Sequence, residues 1–215
     1  LYESVSIQPY SPAAGTGLSS HELNQPGCYK DVKDTTVVAQ FKIKDATKLG
    51  VDEAHFLAWT TTPWTLPSNT ALAVGKNIDY VLVRTFNQYT FKPVCLVLAK
   101  NLVGKQFLKQ FFESTSDEDF LKFKDGEKNI PYKIIAEFKG SDLIGIQYEQ
   151  LLPYAQPCEE AYSSPAGRSG GAPFRVIPGD FVTTEDGTGI VHIAPTFGAD
   201  DAKVAKEAGV PPMLV

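Results

Sequence analysis

The chain has 215 residues, of which 43% are hydrophobic and 21% charged, the balance of an ordinary globular protein and not of a disordered or membrane-spanning one. Its net charge of -5 excludes a module that grips long stretches of nucleic acid through its own surface, because phosphate contacts need clustered Lys and Arg. If it handles RNA, it should hold only a short end.

The length suits one domain with a sizeable core, so 1–215 is read as a single unit. The opening Leu1-Tyr2-Glu3-Ser4-Val5 has no basic start, long apolar stretch or cleavage site, so no secretory signal is expected. The missing initiator Met suggests a fragment of a longer protein. Cys28, Cys95 and Cys158 are odd in number and form no CxxC pair, and His21, His55 and His192 show no paired-ligand spacing. No disulfide framework, metal or cofactor is therefore expected, and reduced thiols point to the cytoplasm.

In chain order, Gly15-Thr16-Gly17 is a turn signal and not a phosphate loop, since no Lys-Ser or Lys-Thr follows at the required spacing. Strands are predicted over 37–44 (VVAQFKIK), 55–61 (HFLAWTT), 80–86 (YVLVRTF) and 94–99 (VCLVLA), each β-branched or aromatic and bounded by turn residues. Residues 101–112 carry apolar positions at mixed helical spacing. Further strands are predicted over 133–139, 174–177, 181–184 and 189–194 (GIVHIA). Between them, 161–173 has the Gly, Ser and Pro content of a mobile loop and is given no function. The firmest helix starts at Asp200-Asp201 and stops at Gly209, with acids in its first turn and Pro211 beyond. Strands not regularly alternated by helices predict an α+β fold, β-rich and barrel-like, with a few peripheral helices.

Two segments carry chemistry. In the first, Trp59 to Asn69 (WTTTPWTLPSN), Pro63 cannot donate to a ladder and biases Thr62 towards extended geometry, so a strand should end with hydroxyls at its rim. Pro67 and Ser68-Asn69 then hold a turn. Such hydroxyls can orient a water or bond a ribose, although threonines are also ordinary strand residues. In the second, Gly187 to Asp201 (GTGIVHIAPTFGADD), alternation sets His192 opposite Val191 and Ile193, with Ile190 and Ala194 beside it. A core histidine and a pair of helix-capping acids are the bland alternatives for His192 and for Asp200 and Asp201.

Together, and in this order, the two segments resemble the editing insertion (CP1) of isoleucyl-tRNA synthetases, class I enzymes. Thr62-Pro63-Trp64 stands where valyl and leucyl relatives carry Thr-Arg-Pro followed by an acid, and leucyl enzymes lack the pair seen at Val191-His192. Tyr29-Lys30-Asp31-Val32 and the Gly145-x-x-Tyr148 step extend the likeness along nearly the whole chain. Thr196-Phe197 departs from the Gly-His often found there, which bears on the pocket wall. Neither the HIGH-like nor the KMSKS-like signature of a synthetic site occurs, so no ATP-dependent activity is expected of this stretch.

The resemblance implies hydrolysis of valine misattached to the isoleucine tRNA, because one methylene supplies only about 1–3 kcal/mol of discrimination, a limit for which this family is the standard illustration. It further implies that Asp201 binds the substrate ammonium, with Asp200 the weaker candidate. His192 would wall a pocket too small for isoleucine, with Ala194 and Phe197 beside it. Thr60, Thr61, Thr62 and Thr65, with Trp59 and Trp64, would hold the terminal adenosine and place the attacking water. The partners implied are the 3' end of aminoacylated tRNA, its valine moiety and the rest of a parent synthetase, with no membrane. A free-standing deacylase and a non-catalytic domain guiding the acceptor end are the two alternatives.

Overall fold

The computed structural model describes residues 8–158 and 171–215. Eleven strands occur among them: β1 Tyr10–Ser11, β2 Thr16–Gly17, β3 Val37–Lys42, β4 His55–Thr60, β5 Ala71–Val74, β6 Asp79–Phe86, β7 Pro93–Ala99, β8 Phe111–Glu113, β9 Ile130–Lys139, β10 Arg175–Pro178 and β11 Ile190–Ile193. The helices are short: α1 Ser20–Leu23, α2 Val103–Gln106, α3 Asp117–Lys122, α4 Gly140–Leu143 and α5 Ala199–Ala208. This is the strand-rich α+β architecture expected from the sequence. The strands lie in a six-stranded sheet ordered β3-β4-β7-β6-β9-β8, a three-stranded sheet ordered β10-β5-β11, and the small β1-β2 hairpin.

The alternating residues of the central strands explain the layering. On the six-stranded sheet, Phe56 and Ala58 of β4, Tyr80 and Leu82 of β6, and Val97 and Ala99 of β7 enter one core, which is shared with Leu72, Val74, Val176 and Ile190 of the smaller sheet. The intervening Leu57, Val81, Val83, Leu96 and Leu98 enter a second core, closed by Val103 and Phe107. On its far side the three-stranded sheet buries Ala71, Ala73, Ile177 and Ile193 against Ala205 of α5 and Val210. The two sheets therefore pack face to face, with α5 outside the smaller one.

Two predicted elements fold otherwise, and one central strand was not expected. Residues 101–112 do not form one helix: a 3-10 turn and α2 end by Gln106, and Phe111 opens β8 after Lys109, whose φ is 51°. No strand forms over 181–184, because the Val182 N–H turns back to the Gly179 carbonyl at 3.2 Å. β5 was not anticipated; its four residues are all buried, so it lacks the alternation that marks a half-buried strand. The loop expected over 161–173 falls mostly outside the described residues; within them, the Gly171 N–H donates to Gly209 at 2.8 Å.

Candidate active site

The site forms where the two sheets meet at one rim. In β4 the side chains of Phe56, Ala58 and Thr60 alternate onto the inter-sheet face, and in β11 Ile190 and His192 do the same. Thr60 and His192 are both buried. After Thr60 the chain bends, and Pro63 starts a 3-10 turn, Pro63–Ser68, with proline at a position where a missing N–H costs nothing. That turn folds Thr65 back: its N–H donates to the Thr62 carbonyl at 3.0 Å and its hydroxyl to the same carbonyl at 2.8 Å.

With the Thr65 proton committed to that carbonyl, its Oγ1 is an acceptor for His192 Nε2 at 3.1 Å. The proton of the neutral imidazole therefore belongs on Nε2. Thr60 Oγ1 lies 3.3 Å from the same nitrogen and 3.3 Å from Thr62 Oγ1, and it accepts the Thr62 N–H at 3.0 Å. His192 Nδ1 is buried without a partner. Burial among these neutral groups pushes the imidazole down to about 4, so it is uncharged at physiological pH.

The acid arrives from the other side. Gly198 precedes α5 in extended geometry and no side chain caps the helix, so the capping alternative does not describe Asp201. Its carboxylate turns back and Oδ2 accepts the Ala194 N–H at 2.9 Å, beyond the end of β11. Burial raises the Asp201 carboxyl, the Ala194 bond opposes the shift and neighbouring Asp200 adds to it. A cation beside it would relieve that cost.

Thr62, Trp64, Thr65, His192, Ala194, Phe197, Gly198 and Asp201 line one cavity of about 260 Å³. Of the residues expected at a site, Thr60 supports this cavity from behind through His192, while Thr61 and Asp200 are exposed and do not line it. Trp59 takes the opposite face of β4 and lines a separate recess with Phe181, Thr183, Gly187 and Val191. A Cβ on Gly187 would come within 2.9 Å of its ring. Gly198 was not anticipated: a Cβ there would stand 3.3 Å from the Asp201 Cγ, a crowding with no sequence signal beyond a glycine before the acids. No cluster of three or more His, Cys, Asp or Glu able to hold a metal occurs among the described residues.

Comparison with known proteins decides the family. The chain is 64% identical over 214 residues to isoleucine–tRNA ligase of Cytophaga hutchinsonii, covering 100% of this chain and 18% of that protein. It is 58% identical over 217 residues to the Bacteroides thetaiotaomicron isoleucine–tRNA ligase, covering 100% and 18%. The chain belongs to the isoleucine–tRNA ligase family. It spans about a fifth of the length of these relatives, as a segment of them. The fold is similar to that of the P. knowlesi cytosolic leucyl-tRNA synthetase editing domain, with a TM-score of 0.50 at 13% identity over 78% of this chain and 60% of that one. No family model matches the chain. No helix among the described residues is long and apolar enough to cross a membrane.

Proposed function

We propose that this segment of an isoleucine–tRNA ligase is an editing hydrolase of the cytoplasm that removes valine from the 3' end of misacylated isoleucine tRNA. The observation that carries the reading is the cavity in which a partly buried carboxylate, Asp201, shares walls with a neutral histidine and two threonine hydroxyls. The carboxylate suits the α-ammonium of an esterified amino acid, and such a charge-assisted bond orients the acyl group. Apolar walls from Ala194, Phe197 and the His192 ring would accept a short aliphatic side chain and clash with one methylene more.

In the reaction, water adds to the ester carbonyl carbon, the bond to the ribose oxygen breaks, and that oxygen leaves with a proton. The Thr62 hydroxyl can both donate and accept, and Thr65 Oγ1, its proton committed to the Thr62 carbonyl, keeps one lone pair to accept with, so together they can hold the water and the terminal ribose. His192 is too weak a base to drive the attack, so the rate enhancement comes from placement, helped by the substrate's own ribose hydroxyl. The family match favours a segment acting within its synthetase over a free-standing deacylase.

The test is deacylation of valyl-tRNA specific for isoleucine by the full-length ligase. Asp201→Ala should lower kcat/KM by roughly a hundredfold, the effect expected when a buried charge pair is broken. Unchanged hydrolysis would instead favour a non-catalytic guide for the acceptor end.

A further inference from the structure

The two walls of the cavity are carried by separate segments, the 3-10 turn with Trp64 and Thr65 and the 194–197 turn with Ala194 and Phe197. Behind the cavity these segments are joined by hydroxyls. Thr196 Oγ1 lies 2.7 Å from Ser68 Oγ, at the end of the 3-10 turn. Ser68 is fully buried, and its hydroxyl donates to the carbonyl of buried Met213. Thr196 Oγ1 also lies 3.1 Å from that carbonyl. With the Ser68 proton on Met213, the Thr196 proton is left for Ser68, and one continuous chain runs from wall to wall.

Met213 is itself held. Gln150 Nε2 lies 3.6 Å from its sulfur, and the Cys158 N–H donates to the neighbouring Pro212 carbonyl at 2.9 Å. The carbonyl that receives the Ser68 proton, with Thr196 Oγ1 also close to it, is thus a fixed point, and the spacing of the walls is referred to it. None of these atoms lines the cavity, whereas the residues on either side of Thr196 do not bond across to the 3-10 turn.

We infer that Thr196 is a positioning residue that sets the width of the acyl cavity through Ser68 and the Met213 carbonyl. The inference rests on the proposed reading of the cavity as an acyl pocket. Removing the hydroxyl while keeping the shape, as in Thr196→Val, leaves Ser68 bonded to Met213 but frees the 194–197 turn to move outward. Discrimination then suffers more than turnover, because a wider cavity admits the longer side chain while the acid and the threonine cluster stay in place.

The experiment compares wild type, Thr196→Val and Thr196→Ser in the full-length ligase, with kcat and KM measured separately on valyl- and isoleucyl-tRNA. In Thr196→Val the ratio of kcat/KM for valyl over isoleucyl ester should fall about fivefold, the size of one net buried hydrogen bond. Thr196→Ser should restore it. An unchanged ratio in Thr196→Val overturns the inference. Amide hydrogen exchange at Phe197 and Thr65 in the same proteins provides a readout independent of hydrolysis. Faster exchange at both in Thr196→Val, reversed by Ser, supports the positioning role, and unchanged exchange overturns it. Should the wild type fail to release valine, the proposed function falls while the exchange data still decide the role of Thr196.

Discussion

At the scale of single residues, the chemistry turns on His192 being a neutral wall. Its protonated form would be buried against hydroxyls with no acid bonded to it, and its pKa is accordingly about 4 against an ordinary value of 6.5. The unfolded chain takes up a proton at higher pH than the folded one, so this residue's contribution to stability is intact above 6.5 and is lost as pH falls from 6.5 towards 4. That contribution is about 3 kcal/mol. Urea melts at pH 7.5 and pH 4.5 should show wild type losing most of that amount relative to His192→Ala, and equal losses would contradict the assignment. The same substitution removes bulk from the cavity, so isoleucyl-tRNA should become a substrate, with isoleucine release rising at least tenfold, within the range one methylene can control. Continued sparing of isoleucine would show that the wall is elsewhere. The placing of His192 was legible from strand alternation, but its threonine partners were not, because the 3-10 turn that returns Thr65 to the imidazole leaves no periodic trace. Trp59 shows the converse. It adjoins Thr60 in sequence, yet the alternation that turns Thr60 inward turns the indole outward.

At the scale of elements, β11 is delivered to the site by a turn that only glycine fits. Gly189 sits at φ 73°, and a Cβ there would come within 2.4 Å of the Ala99 Cβ. The Ala99 N–H donates to Thr188 at 2.9 Å, so the turn is seated on the end of β7. Gly189→Ala therefore combines left-handed strain with overpacking and should cost about 3 kcal/mol, a fall in Tm of roughly 10 °C. Gly126, at φ 89° with nothing within 4 Å of its Cβ position, is the control. Its alanine variant should lose only about 1 kcal/mol by calorimetry, and equal losses at the two positions would mean that the Ala99 contact is unimportant. The longer strands could be read from the sequence because each has β-branched runs between turn residues. β5 could not, since a four-residue strand flanked by β10 and β11 is buried on both faces and offers no contrast between its sides. The same shortness made 181–184 and 101–112 misleading, where apolar composition was present but a turn at Gly179 and an early end at Gln106 decided the backbone.

At the scale of the molecule, the site exists only because two sheets are held at a fixed separation, and apolar packing alone sets such a separation loosely. Tyr80 supplies a directional tie. It is fully buried on β6, its hydroxyl accepts the Gly75 N–H at 3.1 Å beyond the end of β5, and it donates to the Gly189 carbonyl at 2.6 Å ahead of β11. One phenol thus joins the large sheet to both strands of the pair that carries His192, at the end where Val74 lies opposite Ile190. Burial pushes its pKa up to about 12, so the tie persists at any pH the protein meets in a cell. Tyr80→Phe keeps the ring packed but leaves two buried backbone groups unpaired, for which about 2 kcal/mol is expected. The consequence should reach the site. With the Gly189 carbonyl released, β11 can shift relative to β4, and the His192 contacts to Thr60 and Thr65 lengthen together. Chemical denaturation should record the stability loss, and imidazole nitrogen NMR should show weakened bonding at Nε2. A variant that loses stability with an unchanged His192 signal would mean that the sheets hold the site without the phenol.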